Sequence, residues 1–157
     1  MSTGDQPTLP HTWRPHGVRV AATVLGAMLV TLVLVVWFAW GEHTRAAFTW
    51  GQRATLVGFG LLGLVAWHAL VRTRVSADER GLTVVNGYRR REFEWSQVVG
   101  VNLRRGAPWA GLDLSDGTST SMVGIQGSDG ERAVRAVREL RALVAANTPT
   151  GKDDPSS

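Results

Sequence analysis

The chain of 157 residues contains no cysteine, which excludes disulfide bonds, thiolate catalysis and cysteine-ligated zinc or iron–sulfur sites. Lysine is nearly absent as well, because Lys152 is the single lysine among 17 basic residues. With 13 acidic residues the formal net charge is +4, and arginine supplies almost all of the positive charge. The mean hydropathy of −0.02 averages two unlike parts, a largely apolar segment over 18–71 and an arginine-rich polar remainder. This composition excludes collagen-like, coiled-coil and fully disordered chains.

Residues suited to catalysis are also scarce. All four histidines lie before residue 72, and the chain has no H-E-x-x-H, Walker or G-x-S-x-G motif. Asp113 and Asp116 lie close together, but Asp116 is followed by glycine, which is typical of a turn rather than of a cation site. Glu92 and Glu94 alternate along a predicted strand beside Arg90, which favours solvated cross-strand partners over an acid/base pair. We therefore expect no catalytic activity, no cofactor and no metal site.

Two long uncharged runs follow a polar N-terminal segment. Residues 1–17 are rich in proline, glycine, serine and threonine, and we interpret them as a flexible arm. As a helix, the run Val20–Trp40 would span about 31 Å, the thickness of the hydrocarbon core of a bilayer. The run Ala54–Val71 has 18 residues and is also long enough to cross. These runs predict transmembrane helices over 18–40 and 54–71, joined by a polar loop over 41–53.

A cleaved signal peptide is the main alternative for the first run. Its apolar core would be shorter, about 7–15 residues, and would end in small residues, whereas this run ends in Trp37-Phe38-Ala39-Trp40. Two spans place both ends of the chain on one side of the membrane. The positive-inside rule then places both termini and the C-terminal domain in the cytoplasm of a multi-pass cell-membrane protein. The outer flanks of the two spans carry Arg14, Arg19, Arg72, Arg74 and Arg80, whereas the loop carries Arg45 and Arg53.

The second run contains a glycine pattern with two interpretations. Gly58–Gly63 has the spelling GxGxxG, but no strand precedes it and no acidic ribose partner follows, so dinucleotide binding is not expected. Small residues at four-residue spacing, as in Ala22-xxx-Gly26 and Ala54-xxx-Gly58, instead favour close helix packing. His68 lies near the end of its run. An interfacial position is therefore favoured for it over a proton-relay or ligand role.

Short alternating segments separated by turn residues begin at Arg72. Strands are predicted over 72–76, 82–85, 88–95, 98–104, 112–114 and 118–123. Asn86-Gly87 indicates a tight hairpin, because both turn positions need positive φ. Ser128 and Glu131 have capping-box spacing and begin an amphipathic helix that ends near Asn147. The fold class is therefore α+β, with a small barrel or sandwich over 72–147 closed by a C-terminal helix, and a disordered tail over 148–157.

The apolar positions of this domain predict its core. Trp95, Trp109 and Phe93 supply the large side chains that a domain of this size needs. In the strand over 98–104, the alternation places Val99, Val101 and Leu103 on one face. The apolar stripe of the helix consists of Ala133, Val137, Leu140 and Val144, widened by Val134 and Leu143.

The order of these segments resembles a known family. A Leu82-Thr83-Val84-Val85 strand and the Asn-Gly hairpin come first, and Glu94-Trp95-Ser96-Gln97-Val98-Val99-Gly100-Val101 follows. Leu112-Asp113-Leu114-Ser115-Asp116-Gly117 and the C-terminal helix complete the pattern. The chain resembles, over residues 18–146, bacterial membrane proteins with a pleckstrin-homology-like (PH-like) domain, in particular the low-molecular-weight protein antigen 6 family. This resemblance implies two transmembrane helices and a seven-stranded barrel capped by a helix, with no catalytic residue or cofactor. The residue patterns account for six of those strands.

Two functions fit a domain of this kind. A membrane-anchored protein-interaction or scaffold module is favoured, because a PH-like barrel leaves a sheet edge that accepts a partner strand, and the small-residue spans allow self-association. The alternative is recognition of anionic lipid headgroups or phosphates by clustered guanidinium groups beside an anionic leaflet. Nucleic-acid binding is not expected, because basic residues are not interleaved with exposed aromatics. The candidate anionic-lipid surface consists of Arg89, Arg90, Arg91, Arg104 and Arg105.

Overall fold

The computed structural model of the chain describes residues 8–147, so the predicted tail over 148–157 and the first seven residues of the arm lie outside the described part. The chain divides into two compact units. One unit is residues 16–71, and the other combines the segment before it with the segment from residue 72 onward.

The first unit consists of three helices, α1 (Gly17–Ala39), α2 (Glu42–Ala47) and α3 (Trp50–Arg72). Helices α1 and α3 are both long and apolar enough to cross a membrane, and no residue of either is buried. Both start earlier than predicted, and α3 includes the charged residues Arg53 and Arg72. The predicted loop over 41–53 is also partly helical, because α2 and the first turn of α3 lie within it.

Contacts at both ends hold α1 and α3 side by side and antiparallel. At one end, an Nη atom of Arg19 donates a hydrogen bond to the Val71 carbonyl at 2.7 Å, and Trp67 Nε1 donates one to the Thr23 hydroxyl at 3.0 Å. At the other end, the guanidinium group of Arg53 lies 5.8 Å from the ring centre of Trp37. Polar and aromatic side chains therefore join the two helices near the ends of their apolar runs.

The small residues of the two helices do not form the helix contact predicted from their spacing. A Cβ atom added at Gly26 or Gly58 would meet nothing within 4 Å, and the same holds at Gly60 and Gly63. The glycine pattern therefore lies in the middle of a helix with open space around it. This placement within α3 agrees with the rejection of a dinucleotide-binding loop.

The described residues of the second unit form seven strands in two antiparallel sheets. The first sheet has the order β1-β2-β3-β4, with β1 (His11–Trp13), β2 (Arg74–Ala77), β3 (Gly81–Asn86) and β4 (Arg89–Glu94). The second sheet has the order β5-β6-β7, with β5 (Val98–Asn102), β6 (Trp109–Leu114) and β7 (Ser119–Gln126). Helix α4 (Glu131–Asn147) completes the unit.

Strand β1 is the strand that the residue patterns did not predict, and it corrects the prediction of a flexible arm over 1–17. It pairs antiparallel with β2, so that Trp13 lies opposite Val75. The indole of Trp13 is buried, and it joins the same core as Leu82 and Leu140. The two apolar helices are therefore an insertion between the first two strands of one sheet.

The hairpin predicted at Asn86-Gly87 forms, but its two turn residues are Gly87 and Tyr88, because Asn86 is still part of β3 and pairs with Arg89. The prediction that Asn86 has positive φ is therefore wrong, since only glycines have positive φ among the described residues. Gly87 and Gly117 adopt φ values of +63° and +80° in the turns that follow β3 and β6, a region that glycine enters without steric cost. At the turn between β2 and β3, one carboxylate oxygen of Asp78 accepts the backbone N–H groups of Arg80 and Gly81 at 2.8 and 3.1 Å. These turns set the register of the sheets, which keeps one face of each strand in the core.

The prediction that Trp95 lies in the core is confirmed, and the same prediction for Trp109 is wrong. Trp95 is 6% exposed, Phe93 is half-buried, and Trp109 is 42% exposed. The reason is the alternation along β6, which turns its neighbours Ala110 and Leu112 inward and therefore turns Trp109 outward. Trp13 supplies the second large buried ring in its place.

An irregularity in β5 reverses the predicted face of Val99. The pairing of β5 with β6 shifts between Val98 and Gly100, as in a β-bulge. A bulge adds one residue to the strand and therefore changes which side chains point inward. As a result Val98 and Val101 are buried, whereas Val99 is 66% exposed.

Helix α4 packs by the predicted stripe but begins later than Ser128. Residues 127–129 form a single 3-10 turn, and Gly130, at φ +58°, accepts the first helical hydrogen bond from Val134 N–H. A capping box occurs elsewhere, between Glu94 and Gln97 before β5. Ala136 occupies a buried position of α4, whereas Val134 is 51% exposed and does not join the stripe.

Candidate functional site

The structure separates the five predicted arginines into three groups. Arg89 and Arg91 lie on one face of β4, opposite Asn86 and Val84 of β3. Because Val84 belongs to the core, this face is the inner face of the first sheet. Arg90 points to the outer face, where its guanidinium group forms an ion pair with Glu92.

Arg104 and Arg105 lie far from that strand, in the connection between β5 and β6. This connection is anchored at the end of β7, where Gly127 N–H donates a hydrogen bond to the Pro108 carbonyl at 3.0 Å. Arg91 instead contacts the beginning of β7, where one of its Nη atoms lies 3.4 Å from the Thr120 hydroxyl. An eight-residue strand separates the two places by about 23 Å. The structure therefore does not bring the five side chains of the candidate surface together.

Arg89 and Arg91 instead form one wall of a polar pocket of about 200 Å³ between the two sheets. Asn86 joins the sheets at its base, since its side-chain amide donates to the Ser121 carbonyl at 2.6 Å and accepts from Val123 N–H at 3.1 Å. No carboxylate lines the pocket. The complete lining is Val84, Asn86, Arg89, Arg91, Ser119, Thr120 and Ser121.

A second concave surface lies between β5 and the C-terminal half of α4. This β5–α4 groove encloses about 560 Å³, and Val99 and Val144 provide apolar walls. Strand β5 is the outer strand of its sheet, so one row of its backbone N–H and C=O groups has no partner strand. Arg141 Nε donates a hydrogen bond to one of these carbonyls, that of Val101, at 2.7 Å. The complete lining is Ser96, Val98, Val99, Gly100, Val101, Arg141, Val144 and Ala145.

Asp113 and Asp116 each have a separate structural role. An Asp113 carboxylate oxygen accepts a hydrogen bond from the Asn102 amide at 2.7 Å. Asp116 accepts from the Thr118 hydroxyl and from its backbone N–H at 2.7 and 2.8 Å, and these bonds lower the pKa of the Asp116 carboxyl. Among residues 8–147, no group of three or more metal-ligating side chains comes together.

Several residues of the two concave surfaces were not predicted from the sequence. Strand alternation alone would have placed Arg89 and Arg91 on one face and Arg90 on the other. Thr120 and Asn86 carry no comparable signal, because their place in the pocket depends on how the two sheets pack. Val99 was assigned to the core, and only the bulge in β5 places it in the groove.

Residues 72–143 match the model of a protein family described as the bacterial PH domain. The chain is also similar to uncharacterised proteins of Mycobacterium tuberculosis and Mycobacterium bovis, each 38% identical over 101 residues. These alignments cover 62% of this chain and 66% of each relative, just under two thirds of the relatives' length. No solved structure matches the chain. Strand β1 lies outside the segment that the family model matches.

Proposed function

We propose, from the premise that residues 72–143 belong to the bacterial PH domain family, that the chain is a non-catalytic, membrane-anchored module that binds another protein. The β5–α4 groove is the observation that supports this function. It combines an outer strand, an apolar floor and one arginine, the features with which an extended peptide is bound by strand addition. A partner segment would pair its backbone with β5 and place an apolar side chain between Val99 and Val144.

The exposure of Val99 is the strongest single indication of this binding mode. A β-branched residue that is 66% exposed contributes little to folding, whereas on an outer strand it offers apolar surface to a partner. Arg141 occupies one backbone acceptor of β5 until a partner binds. Its bond to the Val101 carbonyl protects the strand from indiscriminate pairing, and a partner N–H group would replace that bond.

Photo-crosslinking from the full chain in its native membrane tests this proposal. A photoreactive residue at position 99 is expected to form adducts that map to one extended segment of one partner. Ala145→Glu, at an exposed residue that lines the same groove, should abolish them. The same probe at Val134, which is 51% exposed on α4, is the matched control. Equal adducts at positions 99 and 134, or adducts spread over unrelated segments, would contradict the proposal.

The proposal places the module at the cytoplasmic face of the cell membrane, with α1 and α3 as its anchor. Pairing of β1 with β2 supports two crossings, because the chain must return to the side from which it left. A cleaved signal peptide is disfavoured for the same reason, since cleavage after α1 would remove β1 from the sheet. The arginine distribution on the two flanks of the spans supports the cytoplasmic side.

Cysteine labelling tests the orientation directly, because the chain has no native cysteine. Ser115→Cys in the domain and Thr44→Cys in α2 both replace exposed side chains. In intact cells an impermeant maleimide should label position 44 and should label position 115 only after the membrane is permeabilised. The reverse pattern would place the domain outside the cell.

Self-association through the membrane helices belongs to the same proposal. Open space around Gly26 and Gly58 supports it, because small residues let a second backbone approach closely. Gly26→Ile is expected to reduce a dimer seen by crosslinking in membranes, and Ala21→Ile, also exposed on α1, serves as the control. A dimer fraction that is the same in both variants would remove self-association from the proposal.

A further inference from the structure

We infer that the segment bound in the β5–α4 groove carries an acidic side chain two positions away from a branched apolar one, and that Arg141 holds the carboxylate. This inference rests on the proposed function, because it names the chemistry of the partner at the same groove. The occupant is an extended segment of another protein.

The first argument is the charge of the groove. Arg141 is the single charged residue in its lining, and among residues 8–147 it forms no ion pair. The acidic residue of α4 that is nearest in sequence, Glu139, instead accepts a hydrogen bond from the Trp13 indole. The groove is therefore positively charged, and charge complementarity favours an acidic partner.

The second argument is the exchange of hydrogen bonds when a partner binds. Arg141 Nε donates to the Val101 carbonyl at 2.7 Å. When a backbone N–H group of the partner takes this carbonyl, Arg141 loses its acceptor, and its guanidinium group needs another. A carboxylate on the same segment matches the planar fork of that group. A charge-assisted hydrogen bond then replaces the displaced one.

The third argument is the spacing of side chains on the two walls. Arg141 and Ala145 both line the groove and lie four positions apart on α4, so their Cβ atoms are about 5–6 Å apart on one helix face. Side chains two positions apart on an extended strand also share a face, and they are about 6.5 Å apart. An added strand therefore places one side chain opposite Arg141 and the next but one opposite Ala145.

The end of α4 determines which of these two positions is apolar. The helix ends at Asn147, and the carbonyl groups of a last helical turn carry partial negative charge, which disfavours a carboxylate beside Ala145. Ala145 is small and exposed, and Val99 offers apolar surface on the strand side because it is 66% exposed. The groove volume of about 560 Å³ lies inside the range of about 300–1,000 Å³ found for ligand sites, which leaves room for a branched apolar side chain.

Selection of peptides from a random library tests this inference. A phage-displayed library of short peptides is panned on the full chain in nanodiscs that each hold one copy. The enriched peptides should share Asp or Glu two positions away from Val, Ile or Leu. In synthetic versions of these peptides, measured by fluorescence anisotropy, replacement of the acidic residue by its amide should weaken binding about fivefold, as expected for a solvent-accessible ion pair.

Variants of two exposed arginines on α4 test the role of the guanidinium group. Arg141→Gln should bind the acidic peptide and its amide equally. Arg141→Glu, panned in the same way, should select Lys or Arg at the acidic position and keep the apolar one, an exchange that a purely structural role of Arg141 would not produce. Arg138→Gln changes an exposed arginine that does not line the groove, and it should behave like the unmodified chain.

Ala145→Glu separates failure of this inference from failure of the proposed function. Enriched peptides that lose binding to this variant but show no acidic preference would overturn the inference and leave a peptide-binding groove. Peptides that bind the variant as well as the unmodified chain, or a library in which no peptide is enriched, would contradict both. Enriched sequences that match a segment of this chain and lack the acidic residue would indicate a second copy as the occupant, which would also overturn the inference.

Discussion

Trp13 and Glu139 are joined by a hydrogen bond of 2.9 Å from indole Nε1 to carboxylate Oε2, although 126 positions separate them in the chain. This bond links the short strand β1 to helix α4. His11 lies close to the same Glu139 carboxylate, with 3.9 Å between His11 Nε2 and Glu139 Oε2. The ring centres of His11 and Trp13 are 4.7 Å apart. A strand of three residues thus contacts both the first sheet and the capping helix.

Trp13→Ala should therefore destabilise the domain strongly. Removal of a buried tryptophan costs about 3–5 kcal/mol, and Glu139 would also lose its indole partner. Trp109→Ala is the matched control, because Trp109 is 42% exposed and should cost far less. Denaturant unfolding of the full chain in detergent, followed by circular dichroism, measures both. A similar loss in the two variants would show that β1 is not part of the folded core.

Gly124→Ala should destabilise the contact between β7 and β2. A Cβ atom at this position would lie 2.8 Å from the carbonyl carbon of Arg74 and 2.9 Å from the backbone nitrogen of Val75. Backbone atoms cannot move aside as a side chain can, so we expect a loss of about 1–3 kcal/mol. Gly100→Ala has its nearest contact at 3.9 Å and is the control. The prediction fails if the two melting temperatures fall equally.

Arg141→Ala should make the domain prone to self-pairing through β5. The variant loses the bond to the Val101 carbonyl, which costs about 1 kcal/mol, and it leaves the outer strand unprotected. Sedimentation velocity in detergent should show a concentration-dependent larger species. Arg138→Ala removes a nearby exposed arginine of the same helix and should leave the distribution unchanged.

The turn at Asp116 predicts a specific pH dependence of stability. The Thr118 hydroxyl and then its backbone N–H lower the pKa of the Asp116 carboxyl below its ordinary value of 3.8. The folded state therefore favours the ionised form, and its contribution is complete above pH 3.8 and disappears as the pH falls through the lower, folded-state pKa. Thermal unfolding of Asp116→Asn should show a small deficit at neutral pH that vanishes in strong acid. A deficit that grows with acidity would contradict this sign.

Features with strong local patterns could be predicted from the sequence, and features that depend on distant packing could not. The apolar runs and the glycine turns at Gly87 and Gly117 are local, because run length and glycine conformation determine them. Strand β1 has three residues and a partner more than sixty positions away, so its segment carries no recognisable alternation.

The candidate sites show the same division. The five arginines were predicted as one surface. The alternation of side chains along a strand would have predicted that Arg89 and Arg91 share a face that Arg90 does not. The bulge that exposes Val99 lies in the pairing between two strands, and no residue of β5 alone predicts it. The distance between Arg91 and Thr120 depends on the packing of the sheets, which a single sequence does not specify.

The insertion of two long apolar helices between β1 and β2 has a practical consequence for preparing the second unit on its own. A fragment cut at the start of the family match would lack one edge of the first sheet and the ring of Trp13. Because Trp13 lies opposite Val75 in adjacent antiparallel strands, a short hairpin turn in place of the helices would join the two segments. A fusion of residues 8–14 to residues 74–147 would therefore keep both sheets and helix α4 without the two long apolar helices.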